Sequence, residues 1–133
     1  MECLEKAVTL YQGEFLEEFY LRDNPIFEEW ILIQREKYRS EVLEALYELA
    51  EAYLAQGKYK EAKAYARRQV EIEPWREEAH RQLMEALTLE GKRSEALAQY
   101  TVCQARLAKD LGVEPSHATN QLYKRIKDDD LIS

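Results

Sequence analysis

The hexapeptide Gly57-Lys58-Tyr59-Lys60-Glu61-Ala62 returns 34 residues later as Gly91-Lys92-Arg93-Ser94-Glu95-Ala96. Gly, Lys, Glu and Ala recur at the same offsets. A period of this length marks helical hairpins that stack on one another, each burying its apolar face against the next. The repeated piece reads as the turn inside each hairpin. Gly57 and Gly91 close the first helix in the left-handed conformation that glycine adopts without strain. Ala62 and Ala96 fall early in the second helix, small enough to let two helix axes approach. Pro74 stops the helix that precedes the second unit. The alternative is two unrelated glycine turns in an ordinary helical bundle, and four identities at one offset weigh against it.

This pattern predicts an all-α fold. It consists of tetratricopeptide-like antiparallel helical hairpins in a short right-handed solenoid, with a long helix near the N-terminus and a C-terminal capping helix. The 133 residues read as one domain, with hairpins at about 41–74 and 75–111 and the cap at about 116–127. Ahead of them, Leu4, Val8 and Tyr11 share one face of a helix over 3–12 that Gly13 ends. Phe15-Leu16 and Phe19-Tyr20-Leu21 then form an aromatic connection, either packed on neighbouring helices or exposed to a partner. Asn24-Pro25 is a strong helix start, and no Gly or Pro follows until Gly57. Phe27, Trp30, Ile31, Tyr38, Val42, Leu46, Leu49 and Tyr53 keep helical spacing through that stretch. The first half of this long helix is expected to rest on the N-terminal helix and the aromatic segment.

The remaining helices are expected at about Tyr59–Glu73, Arg76–Glu90, Ser94–Leu111 and His117–Lys127. Their inward positions are Ala62, Ala66 and Val70, then Leu83, Met84 and Leu87, then Ala96, Tyr100, Cys103 and Leu107, and finally Ala118, Leu122 and Ile126. Ser94 and Ser116 are the candidate N-caps.

Composition narrows the function. The net charge of −7 argues against nucleic-acid binding through a general electrostatic field, which needs cations to neutralise phosphates. Arg67-Arg68, Arg76 and Arg81 form either a local basic patch or a solvated helix face. No apolar run is long enough to span a membrane, and the acidic N-terminus is unlike a signal peptide, so a cytoplasmic protein is expected. Cys3 and Cys103 match no metal spacing. His80 stands near Glu77 and Glu78, but too few ligands converge for a metal site. Gly91-Lys92-Arg93-Ser94 lacks the upstream glycine and preceding strand of a phosphate loop. Neither a catalytic centre nor a cofactor or metal is expected, and the chain reads as a non-enzyme.

Binding is the better-supported role. In stacked hairpins the first helix of each pair lines a concave groove. The exposed face there is expected to carry Tyr47, Glu51 and Leu54 in one unit and Arg81, Glu85 and Thr88 in the next, by the same 34-residue shift. Tyr and Arg are common interface anchors. The two glutamates make capture of a C-terminal carboxylate improbable.

Several stretches together carry a more specific resemblance. They are Tyr11-Gln12-Gly13-Glu14-Phe15-Leu16, the long helix with Trp30 and Arg35, the two glycine turns, and Leu111-Gly112-Val113-Glu114-Pro115. From about Leu4 to Ile126 the chain resembles the bacterial transcriptional activator domain, the helical-repeat module of Streptomyces antibiotic regulatory proteins and related multidomain regulators. The resemblance implies a regulatory interaction module that follows a winged-helix DNA-binding domain. It would serve dimerisation, contacts with adjacent domains or contacts with the transcription machinery, and would not itself bind nucleic acid or membrane. No DNA-binding domain lies within these residues, so the segment is either cut from a longer regulator or a stand-alone version. The competing reading is an independent tetratricopeptide adaptor without a role in transcription.

Overall fold

The computed structural model describes residues 25–128. Among them all regular structure is helical: α1 (Pro25–Ala55), α2 (Tyr59–Ile72), α3 (Glu77–Leu89), α4 (Arg93–Leu111) and α5 (His117–Lys127). No helix among these residues is long and apolar enough to cross a membrane. The expected helix over 3–12, the aromatic connection and the Asn24 cap lie outside the described residues. The chain divides into two compact units between Leu49 and Ala50.

In the first unit α1 runs without a break, since no Gly or Pro interrupts it after Pro25. Ile31, Val42, Leu43, Ala45, Leu46 and Leu49 are buried, whereas Phe27 and Trp30 are about half exposed, at 48% and 53%. The stretch those two residues were expected to meet is not among the described ones.

In the second unit successive helices pack against each other. α2 lies on α3, α3 on α4, and α5 on both α3 and α4. This is the packing order of stacked helical hairpins. Ala50 at the end of α1, Ala66 and Leu83 form one buried cluster, with Tyr65 and Val70 against it. Met84, Leu87, Ala96, Leu122 and Ile126 form another, covered by Leu97, Tyr100 and Tyr123. The small side chains of Ala50, Ala66 and Ala96 in these clusters let backbones approach, and the Leu and Met side chains fill the space between them.

The two repeated turns share one geometry. Lys58 N–H donates to the Tyr53 carbonyl and Gly57 N–H to that of Leu54, at 2.9 and 3.1 Å. Thirty-four residues on, Lys92 N–H donates to Leu87 and Gly91 N–H to Thr88, at 2.8 and 3.0 Å. These are paired Schellman bonds, which satisfy the last carbonyls of a helix and require a left-handed residue between them. Gly57 and Gly91 supply it, with φ of 74° and 83°.

Several expectations about caps and inward positions fail in detail, three of them here. Ser94 is not a cap, because α4 begins at Arg93 with Lys92 at the cap position and no side-chain bond there. Ala118 is exposed and Thr119 is buried instead. Gln69 is fully buried and Val70 only partly so. The last two share a cause. A helix packed on two neighbours turns a polar residue inward when that residue finds a buried partner, as Thr119 and Gln69 both do.

Candidate functional site

The structure separates the six groove candidates by burial. Tyr47 belongs to the first unit and is half-buried on α1. In the second unit Glu51 is exposed, while Leu54, Arg81 and Glu85 are partly buried. Thr88 does not reach the surface: it is 1% exposed, and its hydroxyl donates to the Met84 carbonyl at 2.7 Å. The 34-residue shift misplaces it because α3 is packed by α2, α4 and α5 together, so a wider arc of α3 is buried.

Glu51 is held by a chain of amides. Arg76 Nε donates to Gln69 Oε1 at 3.0 Å, Gln69 Nε2 to Gln82 Oε1 at 2.7 Å, and Gln82 Nε2 to Glu51 Oε1 at 3.0 Å. Gln69 and Gln82 are both buried, so each needs these partners to offset the loss of water. The relay crosses α2 and α3 and ends on a surface carboxylate.

Glu85 is the opposite case. Among the described residues it makes no hydrogen bond and no ion pair. Burial, and then the charge of Glu51, push its carboxyl above the usual value, with Arg81 and Arg125 opposing. Arg81 cannot close on it, being committed elsewhere: Nη1 donates to Thr119 Oγ1 at 2.9 Å and lies 3.8 Å from Glu77 Oε2.

The capping helix presents a charged outer side that the sequence reading did not single out. Thr119, Leu122 and Ile126 turn inward, which leaves Gln121, Lys124 and Arg125 on the outer side of α5. These three, with Asp128, line an open depression of about 290 Å³. A helical-wheel reading of α5 was the available signal, because the residues between its inward positions include Arg125.

A second polar cluster fastens α5 to α3. Glu77 Oε2 accepts from Thr119 Oγ1 at 2.5 Å, from the Ser116 hydroxyl at 2.8 Å and from the Ser116 N–H at 2.9 Å. Ser116 occupies the N-cap position of α5, but its hydroxyl serves Glu77 and caps no helix amide. Burial alone would raise the Glu77 carboxyl. The donors from Thr119 and Ser116 and the Arg81 charge outweigh it and hold the group below its ordinary value. At the other end of α5, Arg93 Nε donates to the Ile126 carbonyl at 2.8 Å and Nη2 to that of Lys127. A cation is favoured there, where the helix dipole is negative.

The chemistry-bearing residues are used by the fold. His80 is fully buried. Its Nε2 lies 2.8 Å from the Pro74 carbonyl, and Nδ1 2.8 Å from Gln99 Nε2. These partners assign the neutral tautomer with the proton on Nε2. Burial lowers its pKa, and the nearby Arg106 charge acts the same way, against the Pro74 bond and Glu77. Cys103 is a buried free thiol, raised to about 12 by burial and by Glu77. No group of three or more His, Cys, Asp or Glu among the described residues could hold a metal ion. Gly91-Lys92-Arg93-Ser94 is a helix turn, with Lys92 4.0 Å from Glu90. Of the four arginines weighed as a basic patch, Arg76 pairs with Gln69 and Glu73, and Arg81 with Thr119 and Glu77.

Against known proteins, residues 1–127 match a family model described as the bacterial transcriptional activator domain. No curated protein and no solved structure matches the chain.

Proposed function

Because the chain belongs to the bacterial transcriptional activator domain family, a family of transcription regulation, we propose that it is the non-catalytic interaction module of a bacterial regulator. It binds protein: a second copy of itself, an adjacent domain of a longer regulator, or a component of the transcription machinery. The observation that supports this reading is the charge on α3 and α5. Glu85 and Arg125 make no ion pair among the described residues, while Glu77, Arg81, Arg76 and Arg93 are each held by the fold. Charged groups left unpaired on a helical scaffold suit recognition of another molecule. A binding role also accords with His80, both of whose ring nitrogens have partners inside the fold, and with the inert Cys103 thiol.

The test is an in-frame deletion of residues 1–127 in the source bacterium, followed by transcript profiling. Loss or gain of a defined transcript set is expected, restored by the intact segment in trans or in place. An unchanged transcript profile, with the protein expressed, favours the adaptor without a transcription role.

A further inference from the structure

Helix α4 has two faces. Ala96, Cys103 and Leu107 turn into the fold and are buried. On the other side Glu95, Ala98, Val102, Ala105 and Lys109 are all exposed. These five follow one another at steps of three, four, three and four residues. That spacing keeps one stripe of a helix facing a second helix along its length. The outer face of a solvated helix is charged or polar throughout. This one is charged only at its two ends, with Ala, Val and Ala between them, and Val102 at its middle is 46% exposed. Among the described residues the side chains of Glu95 and Lys109 have no ion-pair partner.

The charges are antisymmetric about Val102. Glu95 lies seven residues before it and Lys109 seven after, each about 10 Å away along the helix axis. Such a face is complementary to itself. A second copy turned end for end, with the two-fold axis passing at Val102, sets Glu95 against Lys109 at both ends and Ala98 near Ala105 between them. Copies running the same way would set Glu on Glu and Lys on Lys. We infer that the outer face of α4 is the seam of a symmetric antiparallel dimer of this chain, closed by two Glu95–Lys109 pairs on either side of Val102. The inference rests on the interaction-module reading above and commits it to one partner, a second copy. The contact is isologous, so it closes at two chains and leaves no seam for a third. Small side chains along the middle let the two helices approach closely. The exposed ion pairs fix direction and register more than they add affinity.

Sedimentation equilibrium of the full chain, at ~0.15 M salt to screen the net charge, tests this. A reversible monomer–dimer equilibrium is expected, with a dissociation constant below ~1 mM. Glu95→Lys alone and Lys109→Glu alone each set like charges together at both ends, and each should weaken the dimer by about tenfold. An equimolar mixture of these two variants brings opposite charges together again, and so does the double variant. Both should return to the parent affinity, which a general effect of either substitution on folding would not produce. Circular dichroism first matches each variant to the parent. A chain that stays monomeric up to ~1 mM overturns the proposal. So does a dimer that neither reversal weakens, or a mixture no tighter than its separate variants. If the dimer fails while the deletion of residues 1–127 still alters transcripts, the interaction reading stands and α4 is not where it acts.

Discussion

Thr119 and Glu77 stand 42 residues apart, and their side chains meet at 2.5 Å. One lies in the first turn of α5 and the other in the first turn of α3. The contact ties the capping helix to the hairpin beneath it, and Thr119 is fully buried where it does so. Replacing Thr119 by Val keeps the volume and removes the donor to Glu77 and the acceptor for Arg81. The loss is expected to be about 1–3 kcal/mol, measured by urea unfolding. Ser116→Ala, at an exposed position, should cost less. Equal stability of Thr119→Val and the parent would show that α5 is held by its apolar face alone.

His80 makes stability depend on pH near neutrality. Its folded pKa is lowered, so the unfolded chain takes up a proton before the native one does. Stability is therefore complete above the unfolded value of 6.5 and declines as pH falls below it, toward the folded pKa. Melting temperature should drop between pH 7.5 and 5.5. His80→Gln is expected to melt lower at pH 7.5 but to lose most of that dependence. Glu77, whose carboxyl is also depressed, acts in a more acidic window: its contribution is present above the ordinary value of 4.5 and is lost as pH falls through the folded value. A parent protein whose melting temperature is flat from pH 7.5 to 5.5 would contradict the buried neutral imidazole.

The two repeated glycines test the turn geometry. A Cβ at either position meets nothing within 4 Å, so any cost of Gly57→Ala or Gly91→Ala is backbone strain. At φ of 74° and 83° that cost is about 1–2 kcal/mol each. Asn tolerates this conformation better, and Gly91→Asn should fall between. Chemical denaturation of the set decides it, with the order Gly, Asn, Ala expected.

Cys103 should be silent toward thiol reagents in the folded protein. It is fully buried and its pKa is raised to about 12, so almost no thiolate is present at pH 8. In a Cys3→Ser background, Ellman's reagent should react only on addition of denaturant, at a rate that follows unfolding. Rapid reaction under native conditions would mean that the α4 helix opens readily.

Much of the fold was legible because it is written locally. The glycine turns, the five helix spans within one or two residues, and inward positions such as Leu83, Met84, Leu87 and Cys103 follow from a 3.6-residue period and one backbone conformation. The burial of the groove candidates was only partly legible. The 34-residue shift assumes that both hairpins bury the same arc. Thr88 breaks that assumption, because α3 has α5 as an additional neighbour. Arg125 was passed over because α5 was read only for its apolar step, and Ala118 and Thr119 exchanged places for the same reason.

The linear chain thus settles where helices start, stop and turn, since those depend on residues within one or two turns of each other. Which polar groups are satisfied and which remain unpaired depends on side chains far apart in sequence. Thr119 reaches Glu77, Gln82 reaches Glu51, and Arg93 reaches the end of α5 only after the helices have packed. Burial then makes each pairing matter, since a polar group that leaves water must find its partner inside the fold. Among the described residues Glu85 is partly buried without one, and only the packed structure reveals that.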